Sequence, residues 1–204
     1  MLPRNVDELI QRTELLCGMT VGQLAKALNI SIPSQPNYAK GFVGQLAEIA
    51  LGAEAGSKPT QDFINLGIEL KTIPVSYECT PIQHTHVCIL ENNNLCNQTF
   101  ENSNFFNKIK KVLWLPVEGE KSIPLAARHF GKAFLWLPSE SEIAKMRDDW
   151  QEIMELITIN GITTTNGDYV FLSTCGGNRY NYQYGFYLRK SFTRTIISNF
   201  LKTM

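Results

Sequence analysis

Apolar positions follow two rhythms along the chain, and each change of rhythm marks an element. From Val6 to Leu16 they recur at helical spacing behind Asn5, with Glu8 in a capping-box pattern and Gly18 as a stop. Thr20 and Gln23 repeat the device before a short second helix to about Leu28, and Ile30 to Tyr38, with two prolines, reads as a loop. These helices form a small packing lid, a helical lobe over about residues 1–40 set against the rest of the chain. Phe42 to Leu51 is a third helix, ended by Gly52.

The period then drops to two. Phe63 to Leu66 turns into Gly67, and Ile68 to Val75 alternates polar and apolar residues in a β-branched run, the pattern of a strand. Glu69 and Lys71 share one face of it, with Ile68, Leu70 and Ile73 assigned to the other. Further strands are expected at Thr85–Leu90, from Val112 onward, at Phe134–Leu137, and at Asp168–Leu172 and Tyr184–Leu188, the last two joined by a loop. Glu91 to Asn107, with seven asparagines, reads as polar loop. Ser139 with Glu142 caps a long helix to about Ile159, whose stripe is Trp150, Ile153, Leu156 and Ile157. Ser191 caps a last helix to about Lys202 that buries Phe192, Ile196, Ile197 and Phe200. Helices at both ends and a central mixed sheet make one α/β domain.

Composition narrows this picture. The 204 residues are 44% hydrophobic and 19% charged, ordinary for a globular protein. Lys plus Arg equals Asp plus Glu at 19 each, so no global field draws the chain to a polyanion, and nucleic-acid binding needs a local basic patch. Five cysteines without a CxxC pair indicate neither a disulfide framework nor a cysteine-rich zinc site. The start lacks an apolar leader, no run approaches a membrane span, and the reduced cytoplasm is the expected compartment. His84, His86 and Cys88 alternate onto one strand face without an evident fourth ligand, as any polar strand face does.

The chemistry gathers between Asp62 and Lys71. Asp, six residues, Glu, one residue, Lys sets two carboxylates beside an ammonium on a strand. Hard oxygen donors of this kind suit Mg2+, which can activate water and stabilise charge on a phosphate, and Lys71 can orient the water. The three residues also describe a solvated ion-pair cluster, since ExK is common on amphipathic strands. Glu48 lies in a mostly apolar stretch of the third helix and, if inward, needs a partner. Lys58, in the Gly56-Ser-Lys-Pro turn, and Lys108, in a basic run before a strand, are candidate phosphate contacts.

The string from Lys40 through Gly-Phe-Val-Gly-Gln-Leu-Ala-Glu48 to Asp62 and Ile68-Glu69-Leu-Lys71-Thr-Ile-Pro-Val75 resembles the MutH family, the methyl-directed nicking endonucleases of mismatch repair and their GATC-cutting restriction relatives. Val112-Leu-Trp-Leu-Pro-Val, Leu135-Trp-Leu-Pro, Asp149-Trp150 and Gly185-Phe-Tyr-Leu-Arg-Lys-Ser-Phe192 resemble it in the same order. The resemblance implies a restriction-endonuclease-like fold with two lobes around a DNA cleft. It implies Asp62, Glu69 and the Leu70 backbone carbonyl as ligands of Mg2+, with Mn2+ able to substitute. Lys71 becomes the catalytic lysine and Glu48 the supporting carboxylate. Lys40 and Lys108 become contacts to double-stranded DNA, with Arg179 in the loop after Leu172 and Arg189 as further candidate contacts, and a MutL protein becomes the partner of a monomer or transient dimer. Tyr187 falls on the family's sensor of adenine N6-methylation, where an aromatic edge against an exocyclic amine leaves little room for a methyl group.

The chain departs from the family after Leu172. The segment that would read GATC is shortened, Ser173 and Cys175 stand where an arginine and a lysine are implied, and Arg179 is its one cation. His86 stands where an aromatic is implied. An arginine on guanine is worth about 1–3 kcal/mol of discrimination, so altered or partner-dependent recognition is expected. The expected activity is Mg2+-dependent nicking of the unmethylated strand at hemimethylated GATC-like sites. Its rivals are a type II restriction enzyme of the same fold that cuts both strands, and a DNA-binding or scaffold relative without turnover.

Overall fold

A computed structural model describes residues 2–34, 41–54, 60–91, 98–178 and 181–203. Its chain divides into two compact units, one of residues 1–82 and 111–136 and one of residues 83–110 and 137–204.

The first unit opens with α1 (Val6–Leu16) and α2 (Val21–Ala27). The Asn5 side chain accepts the Glu8 N–H as expected, but the Glu8 carboxylate turns to the Arg4 N–H and to both the Arg4 and Arg12 guanidiniums, so the capping box is not closed. The box at Thr20 and Gln23 is complete. Next come α3 (Phe42–Leu51), a single 3-10 turn at Ile64–Leu66, and strands β1 (Glu69–Val75), β3 (Val112–Glu118) and β4 (Phe134–Trp136). The sheet is mixed, in the order β1-β3-β4, with β1 parallel to β3 and β4 antiparallel to it. Leu70, Leu113, Leu115 and Val117 bury against Phe42, Leu46 and Leu51 of α3 and Leu9, Leu16, Val21 and Leu24 of α1 and α2. Each such side chain contributes about 1.5–3 kcal/mol on leaving water. The N-terminal helices thus pack directly into the β1 core. Strict alternation returns Ile73 to the face of Glu69 and Lys71, which corrects the expected grouping; Ile73 and Leu70 are both buried, so neither face of β1 is a simple polar one.

The second unit holds β2 (Thr85–Ile89), α4 (Asn104–Ile109), α5 (Glu140–Asn160), β5 (Val170–Asn178), β6 (Asn181–Leu188) and α6 (Lys190–Leu201). Its three strands make an antiparallel sheet in the order β2-β6-β5 rather than extending the mixed sheet. Three expectations change here. The asparagine-rich segment ends in helix α4, capped by the Ser103 side chain on the Phe106 N–H, because Phe105 and Ile109 supply an apolar side that the polar composition hid. The loop after Leu172 is strand on both sides, with a bulge between Thr174 and Gly176. The last helix starts two residues early, with Arg189 and not Ser191 at its N-cap. The long helix keeps its expected box at Ser139 and Glu142, and its buried stripe is Met146, Asp149, Trp150, Ile153, Met154 and Ile157. Among the described residues no helix is long and apolar enough to cross a membrane.

Candidate active site

Asp62 reaches its place through a tight local turn. Phe63, fully buried, exchanges main-chain hydrogen bonds with Ile68 at 2.9 and 3.3 Å, closing the chain around the 3-10 turn. Gly67 makes the closure at φ 63°, a left-handed backbone that favours glycine. The Lys111 ammonium caps the turn at the Leu66 carbonyl, 3.4 Å, and the Lys111 carbonyl takes the Glu69 N–H at 3.0 Å.

In a parallel ladder alternate residues address the neighbouring strand. Glu69 turns its main chain toward β3, so the N–H and C=O of Leu70 point to the other side, the open edge of β1 among the described strands. The Leu70 N–H donates to Asp62 Oδ2 at 2.8 Å. Its carbonyl leaves the backbone toward the same side of the strand. Asp62 and Glu69 are 4% and 2% exposed. Lys71 Nζ lies 2.8 Å from Glu69 Oε1, with 17% of its side chain exposed. The pair is thus no solvated strand face.

Glu48 enters from α3. Gly44, one turn earlier on the same stripe, rests against Thr72, where a Cβ would lie 3.6 Å from Thr72 Oγ1. The segment just past α3 meets Asp62, since the Glu54 N–H donates to the Asp62 carbonyl at 3.1 Å. Glu48 is half-buried on the stripe that runs from Thr72 toward Asp62. Arg12 Nη1 donates to the Leu51 carbonyl at 2.8 Å, fastening α1 to the end of the helix that carries Glu48.

A family model described as "DNA mismatch repair enzyme MutH" matches residues 51–149. The chain is 43% identical to the DNA mismatch repair protein MutH of Actinobacillus pleuropneumoniae serotype 5b (strain L20), an alignment covering 97% of this chain and 95% of that relative. It is 38% identical to the MutH protein of Shewanella baltica (strain OS185), covering 96% of each. The chain belongs to the MutH family. It is an endonuclease of DNA mismatch repair, with the mixed α/β build of the restriction-endonuclease-like fold.

MutH-family nucleases need a divalent metal ion. The oxygen donors present suit a hard one: Asp62 and Glu69 are nearly fully buried carboxylates, the first bonded to the Leu70 N–H. A magnesium-like ion keeps several waters and takes one or two carboxylates, so it does not require a larger cluster, and among the described residues no group of three or more His, Cys, Asp and Glu is gathered. His84, His86 and Cys88 do not form a zinc site. A bulge between His86 and Cys88 breaks their alternation and buries Cys88, and His84 Nδ1 accepts the Lys190 N–H at 3.0 Å.

The residues expected at DNA divide differently. Lys40, Lys58 and Arg179 lie outside the described residues. Lys108 is in the last turn of α4 and 8% exposed. Tyr187 is half-buried, stacked on Phe171 at 5.3 Å and 20° and met edge-on by His86 at 5.1 Å; burial pushes its phenol above the ordinary range, helped by Cys175. Arg189 is engaged inside the protein: Nε donates to the Gly167 carbonyl and Nη2 to Asn166 Oδ1 at 3.1 Å. Sequence reasoning missed Phe171, the Lys111 cap and the buried Asp149. A carboxylate inside an apolar helical stripe was the one available sign of the last.

Proposed function

We propose that this endonuclease nicks the unmethylated strand at hemimethylated GATC-like sites, using Mg2+, for which Mn2+ can substitute. Asp62, Glu69 and the Leu70 carbonyl hold the ion. When bound, it supplies Lewis-acid stabilisation of charge on the attacked phosphate and an activated water. The water oxygen bonds to phosphorus as the bond to the leaving sugar oxygen breaks, and that oxygen takes up a proton. Lys71 orients the water and offsets charge that grows on the phosphate, its ammonium kept in place by Glu69. Glu48 supports Lys71 and the carboxylates from α3. Lys40, Lys58, Lys108 and Arg179 contact the DNA backbone or bases, and Tyr187 senses the adenine N6 position. Zero net charge suits a nuclease of weak unaided DNA affinity that a MutL protein activates, acting in the cytoplasm as a monomer or transient dimer.

The observation that carries this reading is the open edge of β1, where Asp62 is clamped to Leu70 and Lys71 to Glu69, each at 2.8 Å. The test is nicking of supercoiled plasmids with and without GATC sites, in Mg2+, with and without MutL, beside a Lys71→Ala control. Nicked circles from the GATC plasmid, absent in the control, are expected. Equal nicking of both plasmids would mean that the altered hairpin no longer reads GATC, and linear product would mean a double-strand cutter. Activity that survives in the control would overturn the assignment of Lys71.

A further inference from the structure

Asp149, on α5, takes three main-chain N–H groups: those of Asp168 at 3.0 Å, Tyr169 at 2.6 Å and Val170 at 2.8 Å. A buried carboxylate satisfied in this way fixes the chain at the entry to β5. Gly167 sits directly on it, since a Cβ there would lie 2.7 Å from the carboxyl carbon and 2.3 Å from the Val170 carbonyl oxygen. No larger residue fits, and the Gly167 carbonyl is held in one direction.

That carbonyl accepts Arg189 Nε, while Asn166 Oδ1 accepts Arg189 Nη2. Fixed by both acceptors, the planar guanidinium lies over the Phe171 ring, 5.2 Å from its centre. Phe171 in turn stacks on Tyr187. The contacts are contiguous from a buried carboxylate to an exposed-side aromatic ring. Sequence reasoning gave Arg189 a place on DNA; two of its N–H groups are held within the protein, which fixes the direction of the planar fork.

We infer that Arg189 is a positioning residue: anchored by the turn that Asp149 clamps, it holds Phe171 and through it the ring plane of Tyr187. The inference rests on the reading of Tyr187 as the group that senses adenine N6. A methyl group is excluded only by a ring that cannot tilt away, and a rigid stack behind that ring is what exclusion requires.

The test compares nicking rates of the full chain on unmethylated and fully N6-methylated GATC duplexes for the parent protein, Arg189→Gln, Arg189→Lys and Tyr187→Ala. Arg189→Gln should lose about 10–100-fold in discrimination, the ratio of its rates on unmethylated and methylated DNA, since a group misplaced by about 1 Å can cost about 100-fold. Arg189→Lys, which retains the charge but not the planar fork, should fall between it and the parent; should Arg189→Gln not fold, this variant alone decides. Equal losses on both duplexes, or discrimination unchanged, would overturn the positioning role. If Tyr187→Ala also discriminates normally, it is the reading of Tyr187 that fails; if Tyr187→Ala loses discrimination while both Arg189 variants keep it, the positioning role alone fails.

Discussion

The open edge of β1 and the aromatic side of the β2-β6-β5 sheet are built by opposite means. The first comes from one short segment: the turn from Phe63 to Gly67 returns the chain so that Asp62, Glu69, Leu70 and Lys71 meet within ten residues of sequence. The second gathers His84, His86, Phe171, Tyr187 and Arg189 across strand register and rests on Asp149 from a helix. On the proposed reading the first breaks a bond and needs fixed distances between a few charges, which a local loop supplies. On the same reading the second tells one base from its methylated form and needs the direction of a ring, which only long-range packing sets.

The comparison breaks most sharply at Lys71. Lys71→Ala should cut nicking by at least about 10²–10³-fold, because the group that offsets charge on the phosphate is gone, while circular dichroism and gel-shift DNA binding survive. Retained nicking would return Glu69 and Lys71 to a structural pair. At the second region the largest effect belongs to Asp149→Ala, which strands three main-chain donors. Urea unfolding should register a loss of about 3 kcal/mol, and a loss under about 1 kcal/mol would mean that the entry to β5 does not depend on the clamp.

Gly185→Ala acts on the same sheet by overpacking. A Cβ at Gly185 would lie 2.7 Å from His86 Nε2, 3.0 Å from Cys175 Sγ and 3.0 Å from the Cys88 carbonyl oxygen. The imidazole must move, and with it the edge that meets Tyr187. A cost of about 1–3 kcal/mol is expected, with discrimination against methylated DNA falling more than the rate on unmethylated DNA. Equal falls would separate this glycine from the reading face.

These contrasts explain what could be read from the chain. The elements around the catalytic edge were legible because their signals are local: Thr20 with Gln23, Gly52 and Gly67 at left-handed positions, and the alternation of β1. The nearness of Asp62 to the Glu69-Leu70-Lys71 segment was legible for the same reason, while the burial of both carboxylates, which rules out a solvated pair, is a property of the packed core. Helix α4 was hidden because Asn104 and Asn107 masked the spacing of Phe105 and Ile109, both buried. The hairpin past Leu172 read as loop because Gly176, Gly177 and Asn178 are turn-forming residues, and only cross-strand pairing with β6 extends them. The bonds of Arg189 to the Gly167 carbonyl and to Asn166 could not be read from the chain, because they join residues more than twenty positions apart.

The smallest expected effect tests whether the aromatic side is tuned by pH. His84 braces the same stack, its ring edge-on to Phe171 at 4.7 Å and its Nδ1 accepting the Lys190 N–H. Burial lowers its pKa from the ordinary 6.5, and the charges of Arg189 and Lys190 lower it further, so the fold favours the neutral ring. A group whose folded pKa is depressed contributes stability that is complete above its unfolded value and is lost as pH falls through the folded one. Stability should therefore hold from neutrality down to about pH 6.5 and then decline on further acidification, and His84→Gln should flatten that slope. Nicking assayed across the same range should lose methyl discrimination before it loses rate, because a protonated His84 repels Arg189 without touching Asp62, Glu69 or Lys71. A rate that falls first would place the sensitive proton at the β1 edge instead, and the two regions would then share one titration.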